Sequence, residues 1–199
     1  FNEITTQVDF TFLNNTYETF TGGGAPIFLN PGFNALFKVG VSDLLEDYRI
    51  IGGVRLNVNL INNEYLLTFI NLKNRLDKQY VFHRQSIEHL TGNSIVRYHT
   101  NEAFYMLSWP FNEAMRIRGT ATLRNDRAVY LATDRDNLSN PGFDQNWGGL
   151  KLAFNYDDTR NVGLNLYYGT RYKIFGEYYQ LLDEDTRNIF VLGADFRHY

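Results

Sequence analysis

The feature that most limits what this chain can become is a two-residue alternation, repeated in segment after segment. Tyr48, Ile50, Gly52, Val54, Leu56, Val58 and Leu60 share one phase, while Arg49, Gly53, Arg55, Asn57 and Asn59, joined by Ile51, share the other. Successive side chains of an extended strand point to opposite faces, so this spacing makes a ribbon with one oily and one polar side. Met115, Ile117, Gly119, Ala121 and Leu123 alternate with Arg116, Arg118, Thr120, Thr122 and Arg124. Leu150, Leu152, Phe154 and Tyr156 oppose Lys151, Asn155 and Asp157. Tyr172, Ile174 and Tyr178 oppose Arg171, Lys173 and Glu177, and Phe190, Leu192, Ala194 and Phe196 oppose Asp195 and Arg197 less cleanly. Helical periodicity is nearly absent; Ser42–Glu46 and Gln85–Leu90 could each make a turn.

Strands are expected near 5–13, 33–43, 48–60, 64–74, 95–109, 114–124, 147–157, 169–180 and 187–199. Tight turns are expected at Asn62-Asn63 and at Pro110–Glu113, with longer connections at Arg75–Ser94 and Asn125–Asn146. Short turns at one end and long loops at the other are the asymmetry of outer-membrane barrels. Tyr80–Ser86 also looks strand-like but is assigned to an external extension. Counted as a span, it would put Asn62 and the 125–146 loop on the same side. Gly22–Gly24, with Pro26 and Pro31, marks a loop after the first strand, and no linker divides residues 1–199 into two domains.

Composition removes several classes. The chain has no cysteine, which excludes disulfides, thiolate metal sites and cysteine catalysis. A net charge of −3 gives no footprint for nucleic acid. No apolar run is long enough for a transmembrane helix, but a β-barrel turns only every second residue to lipid. The start at Phe1, without an initiator Met, suggests a processed or partial chain.

Alternation alone fits a soluble sandwich or lipocalin-like barrel as well as a membrane barrel. Two features favour the membrane. The polar faces carry long charged side chains suited to a water-filled lumen: Arg55, Arg116, Arg118, Lys151, Arg171, Lys173 and Glu177. Tyrosines gather near strand ends, at Tyr48, Tyr65, Tyr98, Tyr105, Tyr156, Tyr167, Tyr168, Tyr178 and Tyr179, where an aromatic girdle would sit. The expected fold is therefore all-β, an antiparallel transmembrane β-barrel of about nine strands. Val54, Leu56, Leu152, Phe154 and Ile174 are expected to face lipid.

The stretch Phe154–Asn161, reading Phe-Asn-Tyr-Asp-Asp-Thr-Arg-Asn, is followed by Gly169-Thr170-Arg171 and a new alternating strand. This resembles the surface-antigen (BamA-type) barrel of outer-membrane assembly factors, whose members carry a Tyr-Asp-Thr-Arg-like element before a glycine-containing turn. Leu166-Tyr167-Tyr168 stands where that family usually has Phe-Pro-Thr. More of the chain, Val41–Gly53, Asn74–Gln79 and Arg118–Asp134, is similar to the C-terminal barrels of TolB-like envelope proteins. The resemblance implies part of a barrel of about sixteen strands. It also implies an outer-membrane location in a Gram-negative bacterium, contact with lipid and envelope proteins, and a role in anchoring, assembling or translocating envelope components. It implies a turn motif at Asp157, Asp158, Thr159, Arg160, Gly169 and Arg171. Ile117-Arg118-Gly119-Thr120 only superficially matches the family's lumen motif and is assigned no such role. A passive porin-like channel and a soluble β-sandwich or lipocalin-like binding module are the alternatives.

No catalytic, cofactor or metal role is assigned. His83 and His89, near Glu88, have no forced convergence as metal ligands, and His83 with Ser86 lacks the third group a nucleophilic site needs. Asp134, Asp136, Asp144 and Gln145 read as a solvated loop, Asp157, Asp158 and Arg160 as turn-fixing residues, and Gly22–Gly24 lacks the lysine of a phosphate loop. Asn14-Asn15-Thr16 and Asn137-Leu138-Ser139 match glycosylation sequons that carry little meaning in a bacterial envelope protein.

Overall fold

The computed structural model describes residues 3–9, 34–57, 63–91, 94–131, 141–164, 166–183 and 187–199. These contain strands and turns and no helix. The strands are β1 (Glu3–Asp9), β2 (Asn34–Ser42), β3 (Tyr48–Asn57), β4 (Asn63–Asn71), β5 (Asp77–Thr91), β6 (Ser94–Pro110), β7 (Met115–Tyr130), β8 (Phe143–Asp157), β9 (Arg160–Gly163), β10 (Leu166–Tyr168), β11 (Thr170–Leu181) and β12 (Asn188–His198). Ten of them form one sheet in the order β1-β2-β3-β4-β5-β6-β7-β8-β11-β12, every pair antiparallel. β9 and β10 form a separate small hairpin inside the β8–β11 connection. Among the described residues the sheet does not close: β1 and β12 are its edges.

Local chemistry sets the turns. Asp43 accepts the Tyr48 backbone N–H on its side chain at 3.0 Å, with Glu46 in the left-handed region at φ 59°. Asn112 Oδ1 accepts from the backbone N–H of Ala114 and Met115, and Arg75 donates to the carbonyls of Pro110 and Phe111, tying two neighbouring turns. These are the side-chain-to-backbone bonds that make Asp and Asn good turn residues.

Three expectations change. Tyr80–Ser86 is not an external extension but the middle of β5, a full member of the sheet. Its alternation is blurred because Val81 is apolar on the polar face while Arg84 and Glu88 are charged on the oily face. The main sheet has ten strands with β5 included, and the β3–β4 and β7–β8 connections lie at the same end. Finally, β7 and β8 continue well past the oily segments, so Asp144 and Gln145 are strand residues. Asn125, Arg127, Asp144 and Asn146 make the outer face of those extensions polar, which erases the alternation while backbone pairing persists. Phe10–Leu13, the Gly22–Gly24 loop with its prolines, Asn62, Asp134, Asp136 and both sequon asparagines fall outside the described residues.

Candidate functional site

The two faces of the sheet have opposite chemistry, and register lines each of them up across strands. On one face Val41, Ile50, Phe69, Tyr80, Tyr105, Ala121, Leu150, Tyr178 and Phe190 stand directly opposite one another in successive strands from β2 to β12. This face is open. Leu150 is 66% exposed, Leu152 59%, Ile174 56% and Leu192 72%. Val54, Leu56 and Phe154 lie on the same face and are half-buried.

The other face is closed, and its most buried members are charged. Arg55, Glu64, Gln85, Thr100 and Asp126 form one cross-strand row. Glu64 is fully buried, 3.6 Å from Arg55 and accepting from Gln85 at 2.8 Å. In the next row His83 bonds Glu102 at 3.0 Å and Arg124 bonds Glu102 at 2.9 Å; Arg124 also reaches Asp126 at 2.7 Å, which accepts from Thr100 at 2.7 Å. Across β8 and β11, Lys151 pairs with Glu177, which is 1% exposed and accepts from the Tyr179 hydroxyl at 3.0 Å. Buried charges survive only when paired and hydrogen-bonded, and the rows supply that. The described residues contain no second layer over either face, so the contrast is that of a curled sheet, crowded on its concave side and spread on its convex side.

Of the charged residues singled out by sequence, Arg55, Arg116, Arg118, Lys151, Arg171, Lys173 and Glu177 all fall on the concave face. Arg116, Arg171 and Lys173 line a polar cavity of about 550 Å³ beside the β6–β7 turn, together with Asp77, Asp157 and Asp195. The partners Glu64, His83, Glu102, Arg124 and Asp126 were not identified from sequence. His83 and Ser86 point to opposite faces and cannot form a catalytic pair. No cluster of metal-ligating side chains occurs among the described residues.

The turn element is built from short hydrogen bonds. Asp157 Oδ1 accepts from the Thr159 backbone N–H at 3.2 Å and hydroxyl at 2.5 Å, and Arg171 lies 3.6 Å from the same carboxylate. The Thr159 bonds hold the Asp157 carboxyl below its usual range, with Arg171 adding to the effect. Asp158 accepts the Thr170 backbone N–H at 2.6 Å and the Tyr156 hydroxyl at 3.0 Å. Gly169 has φ +126°, and a Cβ there would come within 2.9 Å of the Asp158 carbonyl oxygen. Arg160 pairs with Tyr168 in the β9–β10 hairpin.

The convex apolar band has a measurable height and slant. From Met115 to Leu123 it runs eight residue steps on β7, about 26 Å along the strand. On β4 it is centred on Leu67, which register carries through Phe82, Ala103 and Leu123 to Gly148 on β8; there the band is centred on Ala153 instead. A climb of five residues over four strand spacings is about 16 Å against about 19 Å, a slope of about 40°. Beyond β8 the band stays level through β11 and β12. Aromatic rings line part of it: Tyr48–Phe69–Tyr80–Tyr105 form a chain with centroids 6.3, 6.1 and 4.8 Å apart, and Tyr156 stacks on Tyr172 at 5.0 Å towards the β6–β7 turn. Tyr98 and Tyr179, expected in a girdle, instead face the concave side.

No family model, curated protein or solved structure matches this chain in the comparisons made with each.

Proposed function

We propose that this chain is barrel wall of a Gram-negative outer-membrane protein, with its convex face in lipid and its concave face lining an aqueous interior. The observation that carries the reading is the slanted, exposed apolar band. Between β4 and β8 its slope of about 40° matches the tilt at which strands cross a bilayer, so that part of the band becomes level in the membrane. A soluble sandwich would bury that face under a second sheet. The job that follows is anchoring envelope components, with assembly or translocation as the extension implied by the surface-antigen and TolB-like resemblance. The open edges β1 and β12 fit a wall completed by further strands to a barrel of about sixteen.

The two tryptophans test it directly, because they face opposite ways: Trp109 is on the convex face beside the β6–β7 turn and Trp147 is buried on the concave face. In vesicles of brominated lipid, Trp147→Phe protein, which keeps Trp109, should be strongly quenched. Trp109→Phe protein, which keeps Trp147, should be little affected. Equal quenching of the two, or none, rejects the assignment of faces. A passive channel is a second reading, favoured by the polar cavity of about 550 Å³ beside the β6–β7 turn; steady conductance in planar bilayers would select it.

A further inference from the structure

Resting on the membrane reading, we propose a binding site for an anionic phospholipid on the convex face of β5–β7. The phosphate would sit between Arg84 and Arg127, and one acyl chain would lie in the groove below them. The apolar band ends on these strands at Phe82, Ala103 and Leu123, one cross-strand row. The next rows outward are Arg84, Asn101 and Asn125, then Ser86, His99 and Arg127. Both arginines are exposed, and neither has a hydrogen bond or ion pair among the described residues.

Neither neighbouring charge is bonded to these two arginines. Arg97 is paired with Glu88 at 2.7 Å, and Asp144, opposite Arg127, accepts from Asn125 at 2.6 Å. Arg84 and Arg127 lie two strands apart and two residues out of step, a backbone separation of about 12 Å. Two guanidinium groups leaning inward span that gap around a single phosphodiester, the group arginine's planar fork binds best. Asn101 and His99 lie between them on β6.

Directly beneath is an apolar groove of about 360 Å³ lined by Leu67, Tyr80, Phe82, Ala103, Tyr105 and Leu123. Cationic rim and oily groove on the same strands complement an amphiphile with a negative head, rather than a free anion. A zwitterionic lipid brings an ammonium back to the arginines and loses that advantage.

The test is native mass spectrometry of the detergent-solubilised full chain loaded with phosphatidylglycerol or phosphatidylcholine. Wild type should retain phosphatidylglycerol preferentially. Arg84→Gln/Arg127→Gln should weaken that retention about tenfold or more, as expected for two lost charge-assisted bonds. Ala103→Trp, which fills the groove and spares both arginines, should weaken it as well. Equal retention by wild type and the double variant overturns the site. So does displacement of the lipid by inorganic phosphate with no sensitivity to Ala103→Trp, which marks a phosphate site without a lipid. Tryptophan quenching on the same variants separates the two failures: if Trp109 is quenched and the lipid is not held, only this site falls.

Discussion

Leu152 and Lys151 are neighbours in β8 and live in reversed environments. Leu152 is more than half exposed on the convex face, whereas Lys151 is turned inward onto a glutamate that is 1% exposed. Across the sheet the same inversion holds: rows of Ile, Leu and aromatic residues stand open, and rows of Glu, Asp, Arg and His are shut in. In water that arrangement wastes the hydrophobic effect. It becomes sensible when hydrocarbon lies outside and the polar groups satisfy one another inside.

The comparison breaks most sharply at its buried charges. Glu177→Leu should cost about 3–5 kcal/mol, because Lys151 loses its counter-charge. The loss would be read from urea unfolding in detergent micelles, and Lys151→Met added to it should recover much of the stability. A cost below about 1 kcal/mol would mean that water already screens the pair.

Leu152→Arg should cost about 2–4 kcal/mol when unfolding is measured from a bilayer, and Asn155→Arg on the opposite face far less. Equal costs at the two positions would erase the distinction between the faces. Gly169→Ala should lose about 1–3 kcal/mol by forcing a side chain into the left-handed region against Asp158. That change leaves both faces untouched and so measures the turn alone.

The smallest effect is titration of Asp157. Its folded-state carboxyl lies below the ordinary range, so its contribution is present above the unfolded value and is lost as pH falls through the folded one. The urea midpoint should drop slightly in acid, and Asp157→Asn should flatten that slope. The group is half exposed, so the share is small.

What the sequence conveyed was local. β3, β8 and β11 were legible because each keeps one face oily over its central stretch, and the Asp157–Gly169 element because its residues act on their own backbone. β5 was missed where Val81 and Arg84 each stand on the other chemistry's face. The extensions of β7 and β8 were missed because a strand above the oily band has no reason to alternate. The partners of the buried charges were also invisible. That Glu102 meets both His83 and Arg124 depends on the pairing of three strands, which no single segment encodes.

The crosswise ladders of charge have a consequence for how the sheet comes together. A hairpin that closes two residues out of place would set Lys151 against Tyr179 or Phe175 instead of Glu177, and strand both ions. Such a mispaired hairpin is costly enough to reopen, whereas the oily side, Leu against Ile against Tyr, would accept the error with little complaint. The charges thus serve as proofreaders during assembly, rejecting false closures that greasy surfaces alone would let stand.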